Sequence, residues 1–355
     1  MQELGSANTY EVAFHDRTGS RPVSPALEPT RLQWSRVLDD TSEAQVSLDG
    51  DFFDPKTPIG SWDNELSIYR DGALVWQGPI QRIDYRRRDS DVVVTARDVT
   101  AWLAHRTIHH KLDFTASGQG PTDMAHIAEA IVRDAMEPDD PLILPYLTVA
   151  KCGHVGERKY EPDSAYAGDE LRELARTGID FTALGRRIVI AGETVQLARL
   201  PQLRDEHFIS DINVIDDGLQ AVTRAVVVGE GVSGTATAEG ADKLLEVLVR
   251  EDQIKDKMSA EIEAAAIVEV GHPNPLIVEI PEGAQLAADA PLAISDLIPG
   301  ALVPVANSMT YRPVVTELRL TRLAVDFTAE EGESVKVTLA PIGMRMAEGK
   351  ADAGT

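Results

Sequence analysis

Residues 64–104 read NELSIYRDGALVWQGPIQRIDYRRRDSDVVVTARDVTAWLA. Leu66, Ile68 and Tyr69 form an apolar run that ends at Asp71-Gly72, a dipeptide that favours a two-residue hairpin turn. Leu74, Val75 and Trp76 resume the pattern, and Gly78-Pro79 is expected to break it. Ile80, Ile83 and Tyr85 then start another strand. Arg86 to Asp91 is a polar turn, and Val92, Val93 and Val94 are β-branched residues suited to a pleated surface. A short helical turn, Val99 to Leu103, closes the stretch. The reading is an antiparallel meander of four strands, with Trp76 and Trp102 as the large anchors of its core.

The pattern continues upstream. Tyr10 to Phe14 reads as a strand, Arg21 to Pro29 as a proline-rich loop. Leu32 to Trp34 and Ala44 to Leu48 alternate as half-buried strands. All four tryptophans, Trp34, Trp62, Trp76 and Trp102, precede residue 105. Residues 1–104 are therefore expected to form a β-barrel-like or sandwich domain.

Residues 105–200 change period. Met124, Ile127, Ala128, Ile131 and Ala135 recur at helical spacing, with Thr122 as the expected N-cap. A second helix is expected from Ala167 to Thr177 with Gly178 at its C-terminal cap, followed by a hairpin over Gly185-Arg186-Arg187. This is a small α+β module. Residues 201–345 return to strands, at Ala221–Val228, Leu276–Ile280, Ala301–Val305, Thr316–Asp326 and Val335–Leu339. A helix over about 255–267 interrupts them, with Met258, Ile262 and Ala265 on one face and Glu261 and Glu263 off it. Residues 346–355 are expected to fray. The fold class is a β-rich α+β, multidomain chain.

The chain has 355 residues and one cysteine, Cys152, so it forms no intrachain disulfide. No apolar run approaches the ~18 residues of a membrane span, and the N-terminus lacks the pattern of a secretory signal. With 58 acidic against 34 basic residues the net charge is −24. That disfavours grip on nucleic acid through a basic surface. From Asp205 to Asp296 there are nineteen Asp or Glu against five Lys or Arg; a solvated face would account for them as well as a functional one.

Motifs for catalysis are sparse. Gly229-Glu-Gly231-Val-Ser-Gly234 matches a dinucleotide fingerprint, but no βαβ unit surrounds it, and the phosphate site needs a helix N-terminus as well as glycines. His109-His110 places two imidazoles on neighbouring residues, which suits one metal poorly. Cys152-Gly-His154 has no second pair in zinc spacing. Asp49 to Asp54 resembles a calcium loop, but Gly60 stands where the last acidic ligand is required. Arg86-Arg87-Arg88 is a basic hairpin tip. Asp39-Asp40, Asp139-Asp140 and Asp216-Asp217 read as turn residues. No catalytic residue, cofactor or metal site is expected from the sequence.

Three phrases of the first domain, LQWSRVLDDTSEAQVSL (32–48), ELSIYRDGALVWQGPIQRIDYRR (65–87) and VVVTARDVTAWLAHRTIH (92–109), resemble minor tail proteins of long-tailed actinobacterial phages. So do DELRELARTGIDFTALGRRIVI (169–190), FISDINVIDDGLQAVTRAVVVGEG (208–231) and PLAISDLIPGALVPV (291–305). The resemblance spans roughly residues 9–342 and rests on the order and spacing of the phrases.

The resemblance implies a tail hub related to the trimeric baseplate hubs of contractile tails and secretion spikes. Such hubs have two β-barrel domains per subunit with smaller α+β parts, and three subunits match the six-fold tail tube. It implies a non-enzymatic virion protein at the distal tail tip, made in the bacterial cytoplasm. Its partners would be two further copies, the distal tail or tube protein, the tape measure and receptor-binding tail-tip proteins. Phage DNA would pass through without specific binding. Candidate channel-lining acids are Asp216, Asp217, Glu261 and Glu263. The competing readings are a binding module that contacts a surface glycan or receptor, and a cell-wall hydrolase. The chain runs only about fifteen residues past Leu339-Ala340-Pro341, so hydrolase or sugar-binding activities are expected on another tail-tip protein.

Overall fold

A computed structural model describes residues 3–50, 59–86, 91–137, 145–192, 195, 197–216, 218, 221–251, 254, 257–272, 276–307 and 314–341. The alternating residues of the first hundred positions form six strands. They are β1 (Tyr10–Asp16), β2 (Arg31–Val37), β3 (Glu43–Asp49), β4 (Asn64–Arg70), β5 (Ala73–Arg86) and β6 (Asp91–Arg97). They pair in the order β1-β4-β5-β6-β3-β2, every neighbour antiparallel. In β3 the two-residue period is explicit: Ala44, Val46 and Leu48 are buried and the residues between them are not. Asp71 and Gly72 both take positive φ, the geometry a tight β4–β5 hairpin needs.

The expected break at Gly78-Pro79 does not occur. β5 runs through it for 14 residues, so the four-strand meander is three strands. Up to Pro79, β5 pairs with β4; from Ile80 onward it pairs with β6, with an irregularity between Ile80 and Arg82. Proline is tolerated because it sits at this changeover, where a ladder hydrogen bond is not required of it. A Cβ on Gly78 would lie 2.0 Å from the Arg97 carbonyl oxygen, so only glycine lets the two backbones approach. Trp76 is buried and its indole N–H donates to the Ser35 carbonyl at 3.1 Å. Trp102 is only partly buried: its ring meets Trp62 at a tilt of 57° with centroids 4.6 Å apart, and it lies under the Arg17 and Arg106 guanidinium groups.

Past β6, Asp98 caps a short 3-10 turn, Val99–His105, by accepting the Thr100 N–H. Two helices follow, α1 (Met124–Met136) and α2 (Ala167–Ala175), with β7 (Tyr146–Val149), β8 (Ile179–Leu184) and β9 (Arg187–Gly192). The three strands order as β8-β9-β7, with β9 parallel to β7. Ile127 and Ile131 of α1, Leu171 and Leu174 of α2, and Ile188 and Ile190 of β9 share one core. The N-cap of α1 is Asp123 and not Thr122: the Asp123 carboxylate accepts the Ala125 N–H, whereas the Thr122 hydroxyl turns back to the Gly120 carbonyl.

The chain divides into two compact units. One comprises Met1–Asp211, Pro281–Ala306 and Val315–Thr355, the other Ile212–Ile280 and Asn307–Val314. The smaller unit holds β10 (Arg224–Val228), β11 (Ser233–Thr237), β12 (Glu246–Arg250) and α3 (Lys257–Gly271). β10 is central, antiparallel to β11 and parallel to β12. Short strands Asn213–Asp216 and Leu276–Glu279 pair antiparallel beside them in sequence. Ala225, Val227, Ala260, Ala264 and Val268 form the core. The face of α3 expected to pack, that of Met258 and Ile262, instead faces solvent, at 71% and 59% exposure. The small side chains turn inward because α3 lies so close to β11 that a Cβ on Gly234 would stand 2.2 Å from the Ala260 backbone.

The larger unit is completed by β13 (Leu302–Asn307), β14 (Val314–Thr328) and β15 (Gly332–Pro341). β14 pairs with β2 from Arg31↔Thr328 to Val37↔Arg322, so the N-terminal and C-terminal strands share one continuous sheet. The architecture is β-rich α+β with several sheets. Among the described residues no helix is long and apolar enough to cross a membrane.

Candidate functional site

The acidic stretch lies largely in the smaller unit, whose residues 212–280 carry thirteen Asp or Glu against five Lys or Arg. Glu261 and Glu263 are exposed on α3, and Glu261 pairs with Lys257 at 3.4 Å one helical turn away. Residues two apart on a helix diverge, so these two carboxylates address different directions. The Asp216 backbone ends the strand Asn213–Asp216, opposite Leu276; its side chain and the whole of Asp217 lie outside the described residues. The exposed carboxylates Glu230, Glu239, Asp242 and Glu251 extend the acidic character over the same unit.

The glycine motif is a packing device. Gly229 follows directly on β10, its N–H donates to the Val232 carbonyl, and Gly234 lies in β11. The motif therefore spans a hairpin turn and not a strand-to-helix junction. A Cβ on Gly229 would stand 2.1 Å from the Ile254 carbonyl oxygen, and one on Gly234 would strike α3. The space beside Gly234 is taken by the Ala260–Glu261 backbone of α3 and that beside Gly229 by Ile254, so both glycines serve close packing of the chain.

Cys152 and His154 are also structural. The Asp123 carboxylate accepts from the Cys152 and Gly153 backbone N–H groups, and the Cys152 thiol donates to Asp123 at 3.3 Å. These bonds hold the Asp123 carboxyl below the usual range, against the opposing effect of partial burial. The Asp39 carboxylate accepts the Phe181 N–H and braces the β2–β3 turn against β8. Asp139-Asp140, Asp51 to Asp54 and Arg87-Arg88 lie outside the described residues; Asp49 ends β3 and Arg86 ends β5.

Two polar clusters were invisible in the sequence. In the first, Glu65 of β4 is buried, its carboxylate paired with the Arg186 guanidinium and accepting from Gln77 Nε2 at 2.9 Å. Burial pushes its pKa up to about 7, although Arg186 and Gln77 pull it back. The neighbouring His15 ring lies 3.0 Å from the Ser67 hydroxyl, and burial lowers its pKa. In the second, His110 meets Asp134 and Glu137 at the C-terminal end of α1. The Asp134 hydrogen bond, aided by the Glu137 charge, raises the pKa of the His110 ring. A depression of about 200 Å³ between the Val99–His105 turn and Arg172 of α2 is lined by charges that already pair, Arg97 with Glu43 and Arg172 with Asp40. None of these places an accessible nucleophile beside a base.

No protein-family model and no curated protein matches the chain in sequence. Its backbone does match solved structures. A 43 kDa tail protein of prophage MuSo2 from Shewanella oneidensis superposes with a TM-score of 0.59 at 12% identity, over 93% of this chain and 97% of that one. The fold is that of phage tail proteins. A tail protein from Neisseria meningitidis gives a TM-score of 0.56 at 12% identity, over 93% and 96% of the two chains. The E. coli c3393 protein matches with a TM-score of 0.51 at 12% identity, over 91% of this chain and 77% of that one. It is a component of the type VI secretion system with structural similarity to the T4 bacteriophage tail proteins gp27 and gp5. At such identities the likeness speaks for the fold alone, and the order of the sequence phrases is independent of it.

Proposed function

We propose that the chain is a structural, non-enzymatic tail-hub protein of a phage virion, which closes or extends the distal tail tube and anchors receptor-binding tail-tip proteins. The observation that carries this reading is the end-to-end match to a prophage tail protein, 93% of one chain on 97% of the other. A shared domain inserted in an unrelated enzyme would match only part of its length. The match to a secretion component similar to gp27 and gp5 supports the hub placement within the tail. On this reading three copies form a closed ring by head-to-tail contacts. The β-rich ends of the chain, joined in one sheet through β2 and β14, would then supply the surface that meets the tail tube. The long-tailed actinobacterial type of particle rests on the sequence resemblance.

The experiment is to image particles with this chain labelled. Label at the distal tail tip in three copies is the expected result. Label along the shaft or at the head, or two or six copies at the tip, rejects the hub. Incubation of the purified protein with host cell walls separates the hydrolase reading: soluble muropeptides released by the protein alone would overturn the non-enzymatic assignment.

A further inference from the structure

At the C-terminal end of α1 the side chains of Asp134 and Glu137 converge on His110. Asp134 lies in the last turn of α1 and is 8% exposed. Its carboxylate accepts the backbone N–H of His109 at 2.5 Å and that of His110 at 3.2 and 3.3 Å. Those bonds tie the loop carrying His110 to the helix and fix the carboxylate's orientation. Glu137 is the C-cap of α1, three residues on, which puts its side chain on the same side of the helix as Asp134. His110 Nδ1 stands 2.8 Å from Asp134 Oδ1 and 3.2 Å from Glu137 Oε2.

We propose that His110, Asp134 and Glu137 form a binding site for a single divalent transition-metal ion. Three arguments support it. The first is charge. Two carboxylates and the negative end of the helix dipole meet at one ring nitrogen, and one Nδ1–H is a single donor facing two acceptors. A cation with two charges balances that set better than a proton does. The second is spacing. At metal–ligand distances of ~2.0–2.2 Å, donors at tetrahedral or octahedral angles stand about 3.0–3.5 Å apart. Both nitrogen-to-oxygen distances are close to that, so small rotations of the exposed His110 and Glu137 side chains suffice. The third is support. A ligand carboxylate held by other hydrogen bonds is the usual outer-shell arrangement, and the two backbone N–H groups supply it to Asp134.

The donor set selects the ion. One imidazole nitrogen with two carboxylate oxygens suits Zn²⁺, Mn²⁺, Co²⁺ or Ni²⁺; Ca²⁺ and Mg²⁺ prefer oxygen alone. His110 and Glu137 are each 65% exposed, so the remaining positions fall to water or to a donor from a neighbouring tail protein. On binding, the imidazole Nδ1 lone pair bonds the metal, and any proton held there passes to solvent. Protons compete with the metal for Nδ1, so affinity falls as pH drops.

The test uses the full-length protein with any histidine tag removed. Isothermal titration with ZnCl₂, MnCl₂, NiCl₂ and MgCl₂ near pH 7.5 should show about one Zn²⁺, Mn²⁺ or Ni²⁺ per chain and no comparable Mg²⁺ binding. His110→Ala and Glu137→Gln, both at exposed positions, should each weaken binding more than about tenfold. Repeating the titration in buffers of different ionisation enthalpy should reveal proton release. Absence of binding by every transition metal overturns the proposal. Binding that survives both substitutions places the ion elsewhere and also overturns it.

Discussion

Arg70 of β4 makes a two-pronged ion pair with Glu333 of β15: its Nε donates to Oε1 at 2.8 Å and an Nη donates to Oε2 at 2.8 Å. The Tyr10 hydroxyl donates to the same carboxylate at 2.6 Å and the Ala7 N–H at 3.0 Å. The Glu333 side chain is 2% exposed. One carboxylate from the last hairpin therefore accepts four hydrogen bonds, from Ala7, Tyr10 and Arg70.

Glu333→Ala should destabilise the protein by about 3–5 kcal/mol, because it leaves the Arg70 charge and the Tyr10 hydroxyl without their acceptor. Glu333→Gln keeps an acceptor and should cost less. Urea unfolding of the three proteins measures this. A loss below 1 kcal/mol for the alanine variant would mean that water replaces the carboxylate and that the pair is only peripheral.

Glu65 gives a pH signature. Its folded pKa, about 7, lies above the ordinary value near 4.5, so the folded state binds the proton more tightly than the unfolded state. The stability it contributes is therefore present below pH 4.5 and lost as pH rises through about 7. The difference is worth roughly 3–4 kcal/mol at most. Other groups titrate in the same range, so the useful quantity is wild type compared with Glu65→Gln. The stability of the wild type relative to the variant should fall between pH 4.5 and pH 8. A difference that stays flat would show that Arg186 compensates burial fully.

Gly234→Val should damage the smaller unit selectively. The new side chain would collide with the α3 backbone at Ala260 and Glu261, which cannot step aside as a side chain can. Overpacking of this kind costs about 1–3 kcal/mol. Hydrogen exchange should speed up across Lys257–Gly271 and stay unchanged in β1 to β6. Equal protection of α3 in both proteins would remove the close-packing argument.

These elements divide by how local their determinants are. β3 and α1 were legible because each shows one strong period, Ala44-Val46-Leu48 and Ile127-Ile131, and each buries the side that the period marks. α3 was legible as a helix but was read inside out. Met258 and Ile262 are the larger apolar residues, yet Gly234, on another strand, decides that Ala260 and Ala264 go inward. β11 and β12 were missed: β11 is Ser-Gly-Thr-Ala-Thr, with little apolar signal, and β12 follows a polar turn. The β2–β14 ladder joins residues nearly 300 positions apart, which no local pattern encodes. His110, Asp134 and Glu137 are likewise separated in sequence, and the adjacent His109-His110 pair gave no sign of the two carboxylates that meet His110. The tail-protein likeness was visible as an order of phrases because the order of domains is spread over the whole chain.

The last prediction concerns the acid-rich unit within the proposed hub. DNA carries about one charge per ~1.7 Å of axis, so a basic channel wall would hold it and an acidic wall leaves it free to slide. Glu261 and Glu263 are exposed on α3, and Glu261 is partly balanced by Lys257. The contest is between carboxylates that face the channel and carboxylates that only keep the particle soluble. Replacing both by lysine changes the wall by four charges per chain and twelve per ring of three, so the two roles give different results. If they face the channel, Glu261→Lys with Glu263→Lys should slow DNA ejection from assembled particles, and more in low salt than in high salt. The salt dependence follows from a Debye length that shrinks from ~30 Å at 0.01 M to ~8 Å at 0.15 M. Particles that assemble normally and eject at the wild-type rate in both salts would assign these acids to the outside, where they serve solubility.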